Sequence, residues 1–252
     1  MIRLTLLLRR KPEQSLEKFQ RYWREEHGPL VASFAQRLNI LRYVQVHRIE
    51  TPMNEQFSAL RGGMEEPYDG VAELWWESEE ALIETAGREE GEILLADEKR
   101  FVDLANSPLW LAHEYPQINP VERVVAREFS GLTKLYFPIR PPAGMTEEAA
   151  QYYWRTTHGP LIRSMAAIGS MLRYQQVHRF ESGLEKSLRE ARGVRVEPYM
   201  GHAEAWLDNQ RRAGGPAAAE QVRRMLEDEG KFIDFRRSAA WFGFEYYFID
   251  RF

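Results

Sequence analysis

The sequence predicts an α+β fold of two βαββαβ repeats, packed sheet to sheet about a pseudo-two-fold axis. Three observations lead there. Shifting the chain by 131 residues aligns 1–115 with 132–246 without a gap, and roughly 40 of these positions are identical. Within each copy, apolar residues switch between strand and helix spacing in the same order. And there are only two copies: a solenoid needs at least about three stacked units, so two read as a homodimer fused into one polypeptide.

The identities cluster. Tyr22-Trp23-Arg24 and His27-Gly28-Pro29-Leu30 recur as Tyr153-Trp154-Arg155 and His158-Gly159-Pro160-Leu161. Leu41-Arg42-Tyr43 and Gln45-Val46-His47-Arg48 recur as Leu172-Arg173-Tyr174 and Gln176-Val177-His178-Arg179. Glu66-Pro67-Tyr68 returns as Glu197-Pro198-Tyr199, and Ala72-Glu73 with Trp75 as Ala203-Glu204 with Trp206.

In the first copy, residues 2–9 form a short apolar run bounded by charge, a buried strand. Ser15 is the N-cap of a helix with Glu17 in its first turn; Thr146, Glu147 and Glu148 repeat that signature. Leu16, Phe19, Tyr22 and Trp23 follow at helical spacing, and Gly28-Pro29 should interrupt that helix. A second apolar helical stretch is expected over 30–38. Residues 41–50 alternate as a strand, and 51–68, rich in Pro, Gly and charge, read as a loop. A third strand spans 71–77, and 79–104 is mostly helical with a break near Gly91. A fourth strand spans 109–115. This βαββαβ order is that of a ferredoxin-like half with helices on one sheet face. The domains are therefore 1–115 and 132–252, with a linker over 116–131 in which Val124-Val125 could add strand pairing.

Composition removes several classes of function. The net charge of −4 and the absence of a basic run argue against a nucleic-acid partner. No cysteine is present, which excludes disulfides and thiolate chemistry. The first residues read as a strand of the fold rather than a signal peptide, and no apolar run reaches the roughly 20 residues of a membrane span. A cytoplasmic protein is expected.

Strand parity suggests what faces where. Ala203, Ala205 and Leu207 alternate with His202, Glu204, Trp206 and Asp208. The small apolar set should meet the helices, so the other set should face the opposite sheet, with Val71, Glu73, Trp75 and Glu77 as its counterpart. By the same logic Val44 and Val46 go to the helices while Tyr43, Gln45 and His47 face inward.

A Tyr-Gln-His set beside Glu and Trp is unusual for an inner sheet face, because each orphaned buried polar group costs about 1–3 kcal/mol. Two readings follow. His47 and His178 with Glu73 and Glu204 could do acid–base work, Tyr43 and Tyr174 polarising a carbonyl. Alternatively the histidines only satisfy the glutamates in a structural network. His27 and His158, each four residues after a tryptophan, are either catalytic imidazoles at a helix break or caps on free carbonyls. Trp23, Trp154, Gln45, Gln176, Trp75, Trp206 and His202 are candidate substrate contacts, the tryptophans equally readable as core. His202 and Glu204 share a strand face, but two ligands without a third give no metal site, and none is expected.

The Phe19, Tyr22-Trp23 and His27-Gly28-Pro29-Leu30 pattern, after a strand ending in Arg9, resembles the first half of EthD-type domains. These belong to the dimeric α/β-barrel superfamily of ferredoxin-like folds. The second copy carries Tyr153-Trp154 and His158-Gly159-Pro160-Leu161 in the same place, with Ala150 for the phenylalanine. EthD-type domains are typically single and pair as homodimers, so the resemblance implies that this fused chain completes a barrel alone. Association with further copies stays open. It also implies a role for His27 and His158. Some relatives are associated with decarboxylation or dehydration of polyketide intermediates. The superfamily includes cofactor-free monooxygenases, muconolactone isomerases, aromatic cyclases and haem-binding enzymes. The expectation is a metal-free, cofactor-free acid–base enzyme acting on an aromatic or polyketide-like carbonyl compound. A binding or accessory protein for a small hydrophobic ligand is the alternative, and a haem protein the second.

Overall fold

The computed structural model describes residues 1–119, 124–165, 170–211 and 215–252. In the first half, β1 (Ile2–Leu8) leads to α1 (Leu16–Tyr22), a π-helical turn (Trp23–His27) and α2 (Gly28–Ser33). Then come β2 (Arg42–Arg48), α3 (Pro52–Ala59), β3 (Gly70–Trp76), α4 (Glu79–Ile83), α5 (Glu89–Phe101) and β4 (Leu109–Ile118). The second half repeats this with β5 (Leu132–Ile139), α6 (Glu147–Tyr153), a π turn (Trp154–His158), α7 (Gly159–Met165) and β6 (Met171–Arg179). It ends with α8 (Gly183–Arg192), β7 (Gly201–Asp208), α9 (Pro216–Glu229) and β8 (Trp241–Asp250).

The strands close into one barrel in the order β1-β3-β2-β8-β5-β7-β6-β4. The expected two facing sheets are thus replaced by a continuous wall. Each half supplies four adjacent strands, and β2–β8 and β4–β6 pairing seals the two seams between halves. Closure removes the edges that two stacked sheets would leave unpaired.

Register decides which residues face inward, and it overturns one expectation. Val44 lies opposite Glu73 and Val46 opposite Val71. Directly opposed residues share a sheet face, so Val44 and Val46 point into the barrel with Glu73 and Trp75. Tyr43, opposite Leu74, and Gln45, opposite Ala72, lie on the helix side, and His47 follows by alternation. Apolar residues went inside because the barrel lumen is itself a hydrophobic core, built around Trp110, Trp241, Tyr136 and Tyr199. The polar set went outward because the π turns offer it partners. Parity holds on β3 and β7.

Other differences are local. Gly28-Pro29 does not interrupt the helical path: the Gly28 N–H bonds the Trp23 carbonyl five residues back, and Pro29 sits in the first turn of α2. α2 stops at Ser33, short of the expected residue 38. The region 51–68 holds α3, capped by Thr51. The helical break after β3 falls between α4 and α5, with Gly87 at φ 78°, ahead of Gly91. β4 runs through Ile118, beyond the expected boundary at 115. In the linker, residues 120–123 lie outside the described residues. Val124 and Ala126 are not in a strand but pack on Trp206, and the Ala126 N–H bonds Glu245 at 2.8 Å.

Helices cover the outside of the barrel, creating one helix–sheet core per half. The covers are exchanged. Leu184 and Leu188 of α8 pack on the first half's core, and Met53 and Phe57 of α3 on the second's. Two ion pairs fasten them: Arg192 grips Glu98 (2.9 and 3.0 Å) and Arg61 grips Glu229 (2.9 and 3.0 Å).

Candidate functional site

Each half holds a cavity between its helices and the outer face of its strands. In the first half it measures about 350 Å³, over Leu4, Leu6 and Leu8 of β1 and Ala72, Leu74 and Trp76 of β3. Trp23, His27, Tyr43 and Glu98 line it, with Leu184, Leu188 and Arg192 of α8 forming the cover. In the second half it measures about 700 Å³, over Leu135, Phe137, Ile139, Ala203, Ala205 and Leu207, with His158, Tyr174 and Glu229. Phe57 and Arg61 of the first half cover that one.

The π turns bring the histidines to these cavities. Widening the helix by one residue at Trp23–His27 is the kind of local distortion that recurs at functional sites. His27, 5% exposed, bonds through Nδ1 to Asp97 Oδ2 at 2.8 Å. Asp97 Oδ1 accepts from the Tyr22 hydroxyl at 2.6 Å. The second half repeats the arrangement: His158 Nδ1 to Asp228 at 2.9 Å, and Tyr153 to Asp228 at 2.6 Å. Phe101 and Phe232 press on the imidazoles, ring centres 5.1 Å away in both halves.

The electrostatics assign the protons. The hydrogen bond from His27 is the largest effect holding the Asp97 carboxyl below its usual value, and the bond from His158 does the same for Asp228. An ionised carboxylate only accepts, so Nδ1 carries a hydrogen, and in the neutral imidazole Nε2 then holds the lone pair. Burial, then the bond to Asp97, pushes the Tyr22 hydroxyl up to about 12, so it remains a donor.

Tyr43 and Tyr174 also line the cavities. The Tyr43 hydroxyl accepts from Trp23 Nε1 at 3.1 Å and from Gln45 Nε2 at 2.9 Å. Tyr174 accepts from Trp154 Nε1 at 2.9 Å and from Gln176 Nε2 at 3.5 Å. Both hydroxyls have pKa values raised chiefly by burial, so both keep a proton to donate.

His47 and His178 lie elsewhere. Each stacks flat beneath a tryptophan, Trp23 or Trp154, at 4.5 Å, and bonds Gln45 or Gln176 through Nε2 (2.8 and 3.1 Å). Those glutamines in turn donate to the carbonyls of Trp23 and Trp154 at 2.8 and 2.9 Å. The Tyr-Gln-His set thus ties each π turn to the barrel wall. Burial, with Arg24 or Arg155 nearby, lowers both imidazoles to about 3, so they are neutral.

Glu73, Glu204, Trp75, Trp206 and His202 point into the lumen, on the opposite side of the wall from the cavities. Arg3 contacts Glu73 and Glu204, both at 2.5 Å, and Lys134 contacts Glu73, Glu204 and Glu245 at 2.9–3.3 Å. With Glu114 on Arg3 at 3.0 Å, four carboxyl groups thus share two buried cations. Burial pushes Glu73 up to about 8, while Arg3 and Lys134, overcoming burial, hold Glu204 well below the usual range. Trp75 donates to Glu114 and Trp206 to Glu245, while His202 meets Tyr136 at 2.8 Å and Glu204 at 3.3 Å. His202, lowered to about 3 chiefly by burial, is neutral. Among the described residues no group of three or more potential metal ligands converges.

Sequence reasoning missed Asp97 and Asp228, the partners of the cavity histidines, and the Arg61–Glu229 and Arg192–Glu98 clamps. A signal was present: Asp97-Glu98 recurs as Asp228-Glu229, and Arg61-Gly62 as Arg192-Gly193.

Among known proteins, the EthD domain matches twice, over residues 11–105 and 142–236. No curated protein matches the chain significantly. Among solved structures, an anthrone oxidase-like protein aligns over 100% of this chain and 94% of its own, at 10% identity and a TM-score of 0.51, and shares the overall fold. A monooxygenase candidate from Lactobacillus acidophilus NCFM aligns over 99% and 95% at 8% identity (TM-score 0.46). A chlorite dismutase candidate aligns over 97% and 94% at 9% identity (TM-score 0.47). No helix among the described residues is long and apolar enough to cross a membrane.

Proposed function

The chain belongs to the EthD family as two fused domains, and we propose that each is an acid–base site for an aromatic or polyketide-like carbonyl compound. One observation carries the reading: a His–Asp pair, repeated at 2.8 and 2.9 Å, sets its imidazole at a largely apolar cavity in each half. In this reading His27 and His158 are the bases. Nε2 takes a proton from the carbon next to the carbonyl, the C–H electron pair becomes a C=C bond, the C=O π pair moves onto the oxygen, and an enolate forms. Tyr43 or Tyr174 donates a hydrogen bond to that oxygen. Asp97 or Asp228 holds the imidazole in the competent tautomer and offsets the charge it gains. The proton is then returned, at the same carbon or another. His47 and His178 are positioning residues for the π turns. The ferredoxin-like description of each half is consistent with this placement, each cavity lying on the strands of one repeat beneath that repeat's own helices and the exchanged cover of the other.

Haem fits the donor set poorly. His158 Nε2 could serve as an axial ligand in the larger cavity, but the arginine that lines it, Arg61, is already engaged by Glu229, leaving propionates there unpaired. No step is derived through it.

The test is hydrogen–deuterium exchange at the methyl group of acetophenone in D₂O, followed by NMR with purified protein. Exchange should fall about 10²–10⁴-fold in His27→Ala/His158→Ala. Exchange within threefold of the wild type in that double variant, which calorimetry shows still binds the ketone, would leave a binding protein without chemistry.

A further inference from the structure

The two cavities are not equivalent, although their His, Asp and Tyr groups are. We propose that they are binding sites for ligands of different size: the first half takes a single substituted ring, the second a tricyclic compound about twice as large. This rests on the reading of both cavities as sites for aromatic carbonyl compounds. Part of the difference is written on one strand. Trp76 of β3 is replaced by Leu207 on β7, and Leu74 by Ala205, while Ala72 and Ala203 are alike. All six line their cavities. Trp76 is 5% exposed and its Nε1 bonds the Leu38 carbonyl at 2.8 Å, so the indole is pinned across the floor and cannot swing aside for a larger ligand. Leu207 leaves that space open.

The volumes agree with the substitutions, about 350 against 700 Å³. An apolar cavity of about 150 Å³ holds one benzene ring. The first site therefore has room for one ring with its substituents, and the second for three fused rings with theirs. Five exchanges run the other way: Phe137 stands for Leu6, Ile162 for Val31, Ala218 for Gly87 and Val222 for Gly91 in the lining, and Phe57 for Leu188 in the cover. They narrow the second site less than the loss of the indole and the leucine widens it.

The experiment uses a series with a constant carbonyl and growing ring system: acetophenone, 1-acetonaphthone and 9-acetylanthracene. Binding stoichiometry is measured by calorimetry with the full chain. The wild type should bind one 9-acetylanthracene per chain. The count should fall to zero in Ala205→Leu/Leu207→Trp, while acetophenone still binds the first site. It should rise to two in Leu74→Ala/Trp76→Leu, a gain of binding that a misfolded variant cannot give. Two tricyclic ligands per wild-type chain, or one that persists in Ala205→Leu/Leu207→Trp, would overturn the division while leaving the sites themselves. Failure of all three ketones to bind any variant would instead sink the reading of the cavities as sites for aromatic carbonyl compounds, and the division with it.

Discussion

Replacing Glu229 by alanine should be among the most damaging single changes outside the barrel lumen, and far worse than the matching change at Glu98. Arg61 is 2% exposed and Glu229 6%, so the Glu229→Ala variant strands a guanidinium that water cannot reach. Arginine does not shed its charge when buried. The stranded group keeps one bond, to the Phe57 carbonyl at 3.2 Å, and its stacking on Phe57 at 3.6 Å. Breaking a buried pair in this way costs about 3–5 kcal/mol. At roughly 2–4 °C per kcal/mol for a chain of this size, the melting temperature should drop by about 6–20 °C. Arg192, at 16% exposure, can turn its head to solvent, so Glu98→Ala should cost only about 1–2 kcal/mol. The assay is urea unfolding of both variants followed by circular dichroism, with Arg61→Met/Glu229→Met as control. That double variant removes both charges and should recover most of the loss. Equal effects of Glu229→Ala and Glu98→Ala, or a double variant as unstable as Glu229→Ala, would refute the argument that burial sets the cost.

Three further outcomes are expected. Because burial lowers His47 and His178 to about 3, below the usual 6.5, their contribution is complete above pH 6.5 and is lost as the pH falls. At pH 5 each should cost about 2 kcal/mol relative to pH 8. Glu73, pushed up to about 8, acts in the opposite sense between pH 8 and 4.5, so the measurement is the difference in urea midpoint between wild type and His178→Gln, where Glu73 cancels. Asp97→Asn should lower first-site ketone exchange in a His158→Ala background by at least about tenfold, a part of the 10²–10⁴ contribution of the base, because an amide can donate and so releases the imidazole tautomer. Gly201 has φ 146°, and a Cβ there would strike the Val177 carbonyl; Gly201→Ala should therefore lower the melting temperature more than Gly28→Ala, whose added methyl meets the Phe248 ring. A rigid backbone oxygen yields less than a side chain.

Much of the fold was legible because it is written twice. The offset of 131, the Ser15 and Thr146 caps and the strand positions come from repetition and periodicity alone. The face of β2 was misread for a physical reason. Apolar alternation says that one side is buried, but in a closed barrel both sides are, and only the register of Val44 against Glu73 separates them. The His27 and His158 positions were visible as part of a repeated block. Their partners were not, since Asp97 lies 70 residues from His27 and only the docking of α5 brings them together. The Tyr-Gln-His set stood out in the sequence as a repeated group, but stacking under Trp23 and Trp154 is a contact that no strand pattern announces.

The exchanged covers have a consequence for how such a protein can change. In a homodimer of identical subunits, the helix roofing a cavity and the strand flooring it are each encoded once, so altering either alters both sites. Joining the copies uncouples them. Here the larger roof residue, Phe57, sits over the half whose floor carries Leu207, and the smaller, Leu188, over the half that carries Trp76. Roof and floor are then free to vary separately, part of each half's fit being set by residues of the other. A heterodimer would have the same freedom but would have to guard against mispairing; a single chain has no wrong partner to choose.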